Sequence, residues 1–278
     1  MKQEESREKK KGKAHPLCEK HPVLAMLLSV VVLSIAVELL SIAAEGLSGG
    51  AAALQHFLGA AAVIPVLLLV QRWFSPSYRG ALKAEVSGAE MIRLLVPFFV
   101  YAAANRTAAA ISGELVFEPT LTKLGMALNA GLGEETIFRA AAIPIGLHFI
   151  GQEKKLGLIW SISSAFFGLL HLMNIRAGGA ACVIAVQAVA AFFIGVYFAA
   201  LFMCSGSILL PIAVHSVWDY ICFATDPRLE NGLMMQPTVD LLLLAAALFN
   251  VLLGGAAIVM MHRRRDEIER IWEGKWSG

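Results

Sequence analysis

Hydrophobic positions fall into eight long blocks, at about 22–44, 51–70, 91–111, 121–150, 156–173, 180–203, 206–224 and 239–261, each bounded by Gly, Pro or charge. A helix that crosses the hydrocarbon core of a bilayer needs roughly 20 apolar residues, and the blocks are of that order. The pattern predicts an all-α, polytopic integral membrane helix bundle of about eight transmembrane helices. The block at 121–150 is too long for one straight span. It predicts a short helix or a tilt before the polar cluster at 134–139.

Composition sharpens this picture. Of 278 residues, 58% are hydrophobic and 16% charged, a balance that soluble globular domains do not usually carry, so the bilayer is the expected solvent. Residues 1–21 read as a basic cytoplasmic tail, 22–262 as the transmembrane bundle and 263–278 as a C-terminal cytoplasmic tail. The first apolar block is longer than a signal-peptide core and is expected to be a retained span. The net charge of +2 is uninformative as a sum, because charge sits at the ends and in a few loops. No basic face suggests a nucleic-acid partner. The four cysteines lack metal-ligand spacing and read as structural.

Charge in the short connections sets the expected orientation. With the N-terminus in the cytoplasm, 17 of the 23 lysines and arginines fall in cytoplasmic segments, while the opposite loops hold Arg176 and Arg228. Both termini are therefore expected on the cytoplasmic side of the cell membrane. No internal repeat is visible, which counts against a repeat-built transporter.

An ionisable group in hydrocarbon is costly, so each one calls for a partner, a watery cavity or a function. Three places concentrate them: Glu134, Glu135 and Arg139 in the fourth block, His171 in the fifth, and His215 with Asp219 in the seventh. On an α-helix Glu135 and Arg139 share a face and pair, while Glu134 points about 100° away and is free to meet a cavity. His215 and Asp219 are also four apart, so the carboxylate is expected to orient the imidazole. A carboxylate beside a histidine can hold and deprotonate a water. Glu134, His171 and His215 thus supply a base and donors suited to amide hydrolysis. Arg106, beside Asn105, is expected to line a cavity or to pair with Glu38 or Glu45.

Three motifs carry a resemblance. Glu134-Glu135-Thr136-Ile137-Phe138-Arg139 fits EExxxR, Phe167-Gly168-Leu169-Leu170-His171 fits FxxxH, and His215-Ser216-Val217-Trp218-Asp219 fits HxxxN/D. In this order, over roughly residues 120–225, the chain resembles the CAAX protease and bacteriocin-processing (CPBP, or Abi) membrane proteins, which include the type II CAAX prenyl endopeptidases. The resemblance implies an eight-helix bundle with a water-filled cavity. There the carboxylate matching Glu134 and the imidazole matching His171 activate a water, and His215 and Asp219 stabilise the oxyanion. CAAX-cleaving members usually carry Asn where this chain has Asp219. An ionised aspartate would repel an oxyanion, so here Asp219 is expected to orient His215 instead. The loop count puts the site in the outer half of its spans, whereas the CAAX enzymes open to the cytosol.

The expected function is a membrane-embedded, metal-independent glutamate endopeptidase acting on a peptide or protein substrate in or at the bilayer, with no cofactor. Three readings compete. A zinc enzyme would use Glu134, His171 and His215 as ligands. A scaffold or immunity-type protein would bind a partner through the same polar cavity without cutting it. A proton-coupled transporter would use the Glu/His chain as a relay. The bland alternative for Glu134, Glu135 and Arg139 is a buried structural ion pair with a spare carboxylate, and for the two histidines interhelical hydrogen bonding.

Overall fold

The computed structural model describes residues 14–150, 156–230 and 232–276. Most of the expected N-terminal tail, residues 1–13, and Lys154 and Lys155 lie outside the described residues. All eight apolar blocks are helical. After a short helix α1 (Pro16–Lys20) come α2 (Pro22–Ser48), α3 (Ala52–Val70) and α4 (Gly88–Ile111). The fourth block holds α5 (Leu121–Glu135), a π-helical turn (Thr136–Ala140) and α6 (Ala142–Phe149). α7 (Leu156–Leu170) continues as a 3-10 turn (His171–Ile175) and is followed by α8 (Ala181–Ser205) and α9 (Leu209–Thr225). A two-stranded antiparallel hairpin, β1 (Leu229–Glu230) and β2 (Leu233–Met234), precedes α10 (Leu241–Arg263) and α11 (Arg265–Trp276).

Six of these helical segments are long and apolar enough to cross a membrane by length and composition: α2, α3, α4, α8, α10 and the unit Leu156–Ile175. α9 is apolar but only 17 residues long, roughly 25 Å at 1.5 Å per residue. The chain is a polytopic helical membrane bundle. Three of its long helices begin where a side chain supplies an acceptor for an orphan N–H group. Ser87, Thr120 and Asp240 each accept a hydrogen bond from the backbone N–H three residues on, at 3.2, 3.1 and 2.7 Å. Gly49 (φ 59°) and Gly206 (φ 69°) end α2 and α8 in the left-handed conformation that only glycine adopts cheaply.

α8 is the axis of the bundle. From Ile194 to Ser205 every residue is buried, and the helix packs against α7 on one side and α10 on another. α5 lies between α3 and α9. Small residues permit that approach: a Cβ on Gly131 of α5 would sit 2.9 Å from the Ser216 backbone nitrogen of α9 and collide with the Ser216 hydroxyl. A Cβ on Gly168 would likewise lie 2.8 Å from the Ala188 carbonyl.

At the end of the bundle that carries the termini, the chain builds a packed layer. The stretch read from sequence as a C-terminal tail forms α11, an amphipathic helix that buries Ile268, Ile271, Trp272 and Trp276. Trp272 Nε1 donates to the Met203 carbonyl at 3.0 Å. Trp276 stacks on His148 with ring centroids 3.7 Å apart and packs against Tyr78 at 5.0 Å. The opposite end is held by backbone pairing: Val116 and Glu118 donate to the carbonyls of Thr225 and Ala224 at 3.1 and 2.8 Å, satisfying groups that α9 leaves unpaired at its end.

Candidate active site

The fourth block departs from its expected form. The interruption falls at the polar cluster rather than before it, as the π-helical turn directly after Glu135. A π turn loosens the backbone hydrogen-bond ladder and often marks functional sites. Ser163 Oγ of α7 donates to the Phe138 carbonyl at 2.9 Å, giving that turn an interhelical bond. The turn buries the Arg139 side chain completely.

Arg139 is a cation in an aromatic box. Its guanidinium lies 4.4 Å from the centroid of Phe167 and 5.7 and 5.8 Å from those of Phe138 and Phe198. One terminal nitrogen donates to Glu135 Oε1 at 2.9 Å and the other to the Gly195 carbonyl at 3.2 Å. Gly195 makes room for this, since a Cβ there would lie 3.0 Å from the guanidinium and from the Phe167 ring. A desolvated charge is tolerable only when paired and hydrogen-bonded in this way.

Glu135, also fully buried, accepts a second bond at Oε1: His215 Nδ1 lies 2.9 Å away. Because a carboxylate accepts, Nδ1 carries the hydrogen. The pairing expected from sequence is with Asp219; Glu135 is a second carboxylate partner of the same ring. Asp219 Oδ2 is 3.4 Å from the other nitrogen, Nε2, and Glu134 Oε2 is 3.6 Å from that same atom. Glu135 on a different helix therefore orients the ring, and Nε2 faces two carboxylates. Phe198 stacks on the imidazole at 4.6 Å and 19°, with Phe167 edge-on at 5.7 Å, which fixes the ring plane.

His171 sits where α7 gives way to the 3-10 turn. A helix end leaves its last four carbonyls without α-helical donors, and His171 Nδ1 donates to the Phe167 carbonyl at 2.9 Å. A carbonyl only accepts, so the hydrogen is on Nδ1 and the neutral ring has its lone pair on Nε2.

A cavity of about 470 Å³ is lined by Glu134, His171, His215 and Asp219. Glu135 and Arg139 lie behind it, fully buried. All six residues singled out from the sequence thus belong to one neighbourhood: four at the wall, two supporting. Among the described residues no group of three or more His, Cys, Asp or Glu side chains is arranged to hold a metal ion. The cavity extends toward the hairpin end, where Asp226 and Arg228 form a bidentate pair at 2.8 and 2.7 Å. That hydrogen-bonded carboxylate holds the Arg228 guanidinium above its ordinary pKa.

Residues 116–221 match the family model described as Type II CAAX prenyl endopeptidase Rce1-like. This stretch is similar to that family. No curated protein and no solved structure matches the chain. The matched stretch runs from the approach to α5 into α9 and contains all six of these residues. The matched family is described as one of CAAX prenyl endopeptidases, which agrees with the resemblance carried by the three motifs.

Other polar residues fall differently. Arg106 and Asn105 line the cavity, as expected; Arg106 donates to Asn105 and, at 2.9 Å, to Thr225 Oγ1, and lies 5.5 Å over Trp218 rather than pairing with Glu38 or Glu45. Asn174 lines the cavity and bonds Gln187 at 3.3 Å across the helix interface. Phe198 and Gly195, which shape the site, lie in an unbroken apolar run where no polar residue marks them.

Proposed function

We propose that this chain is an intramembrane endopeptidase that hydrolyses a peptide bond of a membrane-associated or processed peptide by glutamate-activated water, without a metal and without a covalent enzyme intermediate. The observation that carries the reading is the unequal employment of two adjacent carboxylates. Glu135 is spent on Arg139 and His215 Nδ1, while Glu134 is 28% exposed at the cavity and 3.6 Å from His215 Nε2. The Rce1-like match supports the same reaction class.

In this mechanism a water lies between Glu134 and the lone pair of His171 Nε2. Glu134 takes a proton as the water oxygen adds to the scissile carbonyl carbon. The carbonyl oxygen becomes an oxyanion and accepts a hydrogen bond from Nε2–H of His215, which acts as the doubly protonated imidazolium, its Nδ1–H on Glu135 and its direction set in advance by Glu135 and Phe198. As the C–N bond breaks, the proton held by Glu134 passes to the leaving amine. Arg139 never meets substrate; it balances Glu135 and is a positioning residue.

The distribution of basic residues supports placing both termini in the cytoplasm. The cavity, bordered by Asp226, Arg228 and the hairpin, then opens toward the other side.

The test is cleavage of a peptide library by purified protein, wild type beside Glu134→Gln and His171→Ala, with folding checked by thermal melting. Products from wild type alone, undiminished by a chelator, are expected. General-base losses run at about 10²–10⁴-fold. Equal cleavage by folded variants sinks the site. Loss to the chelator with recovery on zinc makes Glu134, His171 and His215 ligands. In sealed right-side-out vesicles, an impermeant peptide added outside is expected to be cut; cleavage only after permeabilisation reverses the orientation.

A further inference from the structure

A second concavity, of about 990 Å³, lies at the termini-bearing end, away from the candidate active site. The connection after α3 supplies Arg72, Arg79 and Lys83, and α11 supplies Arg270. All four are exposed, and among the described residues none has a carboxylate within 4 Å. The pocket has two acids, and both are already engaged. Lys275 Nζ donates to Glu85 at 3.1 Å, and Arg264 pairs with Glu267 at 2.8 Å. Four cations therefore line one hollow with no direct carboxylate partner among the described residues, and the hollow's positive charges outnumber its two acids. Like charges brought together at a low-dielectric wall repel, and the field of such a hollow favours an anion.

The hollow's other wall says which anion. Leu68 and Leu69, in the last turn of α3, are 54% and 71% exposed. They continue the apolar surface of a membrane-crossing helix. Trp73, 52% exposed one residue after Arg72, is the kind of side chain that settles at the bilayer–water boundary and fixes the depth of the pocket. A soluble anion would satisfy the cations but make no use of the apolar wall beside them. We propose that this pocket binds a phospholipid of net negative headgroup, its phosphate among Arg72, Arg79, Lys83 and Arg270 and its acyl chains along Leu68 and Leu69. The lipid bridges α3 and α11, two elements far apart in the chain. It holds whether or not the candidate active site cuts peptides.

Native mass spectrometry and thermal melting of delipidated, detergent-purified protein test this. Phosphatidylglycerol is compared with phosphatidylcholine of the same chains, and with glycerol phosphate as a chainless anion. Several-fold preferential retention of phosphatidylglycerol and a rise in Tm are expected, with no shift from glycerol phosphate. The preference should disappear in Arg72→Gln/Arg79→Gln/Arg270→Gln and weaken in Arg270→Gln alone. It should persist in Arg176→Gln, an exposed arginine at the opposite end. Equal retention of the two lipids, or a preference that survives the triple substitution, overturns the proposal. An equal shift with glycerol phosphate overturns the lipid assignment in favour of a soluble anion.

Discussion

At the end that carries the termini, α11 lays Trp276 among Phe74, Tyr78 and His148 and Trp272 against Phe202, while the opposite half of the bundle leaves a cavity of about 470 Å³ walled by Glu134, His171 and Asp219. The first region is dry enough that burial pushes the Tyr78 phenol well above its ordinary pKa. The second keeps two carboxylates partly exposed on one imidazole nitrogen. Ring stacking and apolar contact can stabilise a bundle without specifying chemistry. Unneutralised polar groups do the reverse, and a protein that needs both gains by keeping them apart. Between them lies the Glu135–Arg139 pair, buried like the first region and bonded to the second.

That middle layer is where the largest effect is expected. Arg139→Met removes the cation and leaves Glu135 buried with His215 alone, a loss of about 3–5 kcal/mol for breaking one half of a buried pair. The variant should melt far below wild type or fail to accumulate. Adding Glu135→Gln removes the uncompensated charge and should recover part of the stability, because a buried neutral amide costs less than a buried unpaired carboxylate. The double variant separates support from chemistry. Peptide cleavage per folded molecule should stay depressed, since a neutral amide holds the His215 imidazole less firmly. A single variant as stable as wild type would mean that Arg139 is not needed to balance Glu135.

Truncating the sealed end should act on stability alone. Trp272→Ala deletes a fully buried ring and its bond to the Met203 carbonyl, about 3–5 kcal/mol for a large aromatic. The expected result is a lowered Tm with kcat/KM per folded molecule unchanged. A variant that keeps its melting temperature but loses cleavage would show the two ends to be coupled.

The eight apolar blocks and the order of the three polar motifs were legible because hydrocarbon imposes a strong signal: backbone must be helical and charge must be rare. Less was legible where tertiary contact decides. The amphipathic stripe Ile268, Ile271, Trp272 and Trp276 follows helical spacing, yet the surrounding arginines and glutamates made the segment read as a tail. The π turn was hidden because spacing arguments assume 3.6 residues per turn throughout. The Asp219 side of His215 was legible because the two residues are four apart on one helix, whereas Glu135, on Nδ1, is 80 residues away and carried no such signal. Phe198 and Gly195 had no signal at all, since one more phenylalanine and one more glycine in an apolar run carry no mark of what they touch.

The smallest expected effect concerns the two carboxylates that share His215 and is the finest probe of the open region. If Asp219 oriented His215, Asp219→Asn would release the ring and cost activity. With Glu135 already on Nδ1 at 2.9 Å and Phe198 on the ring face, orientation does not depend on it. What Asp219 does contribute is a negative charge 3.4 Å from the nitrogen that would donate to an oxyanion. Two like charges there raise the cost of the transition state, and an amide in the same place can accept from Nε2 or donate to the developing oxygen. Asp219→Asn should therefore keep Tm within a few degrees and leave kcat/KM unchanged or raised, by roughly tenfold at most for about 1.4 kcal/mol of relieved repulsion. A fall of a hundredfold or more in the folded variant would return the orienting role to Asp219 and make the Glu135 contact a structural one.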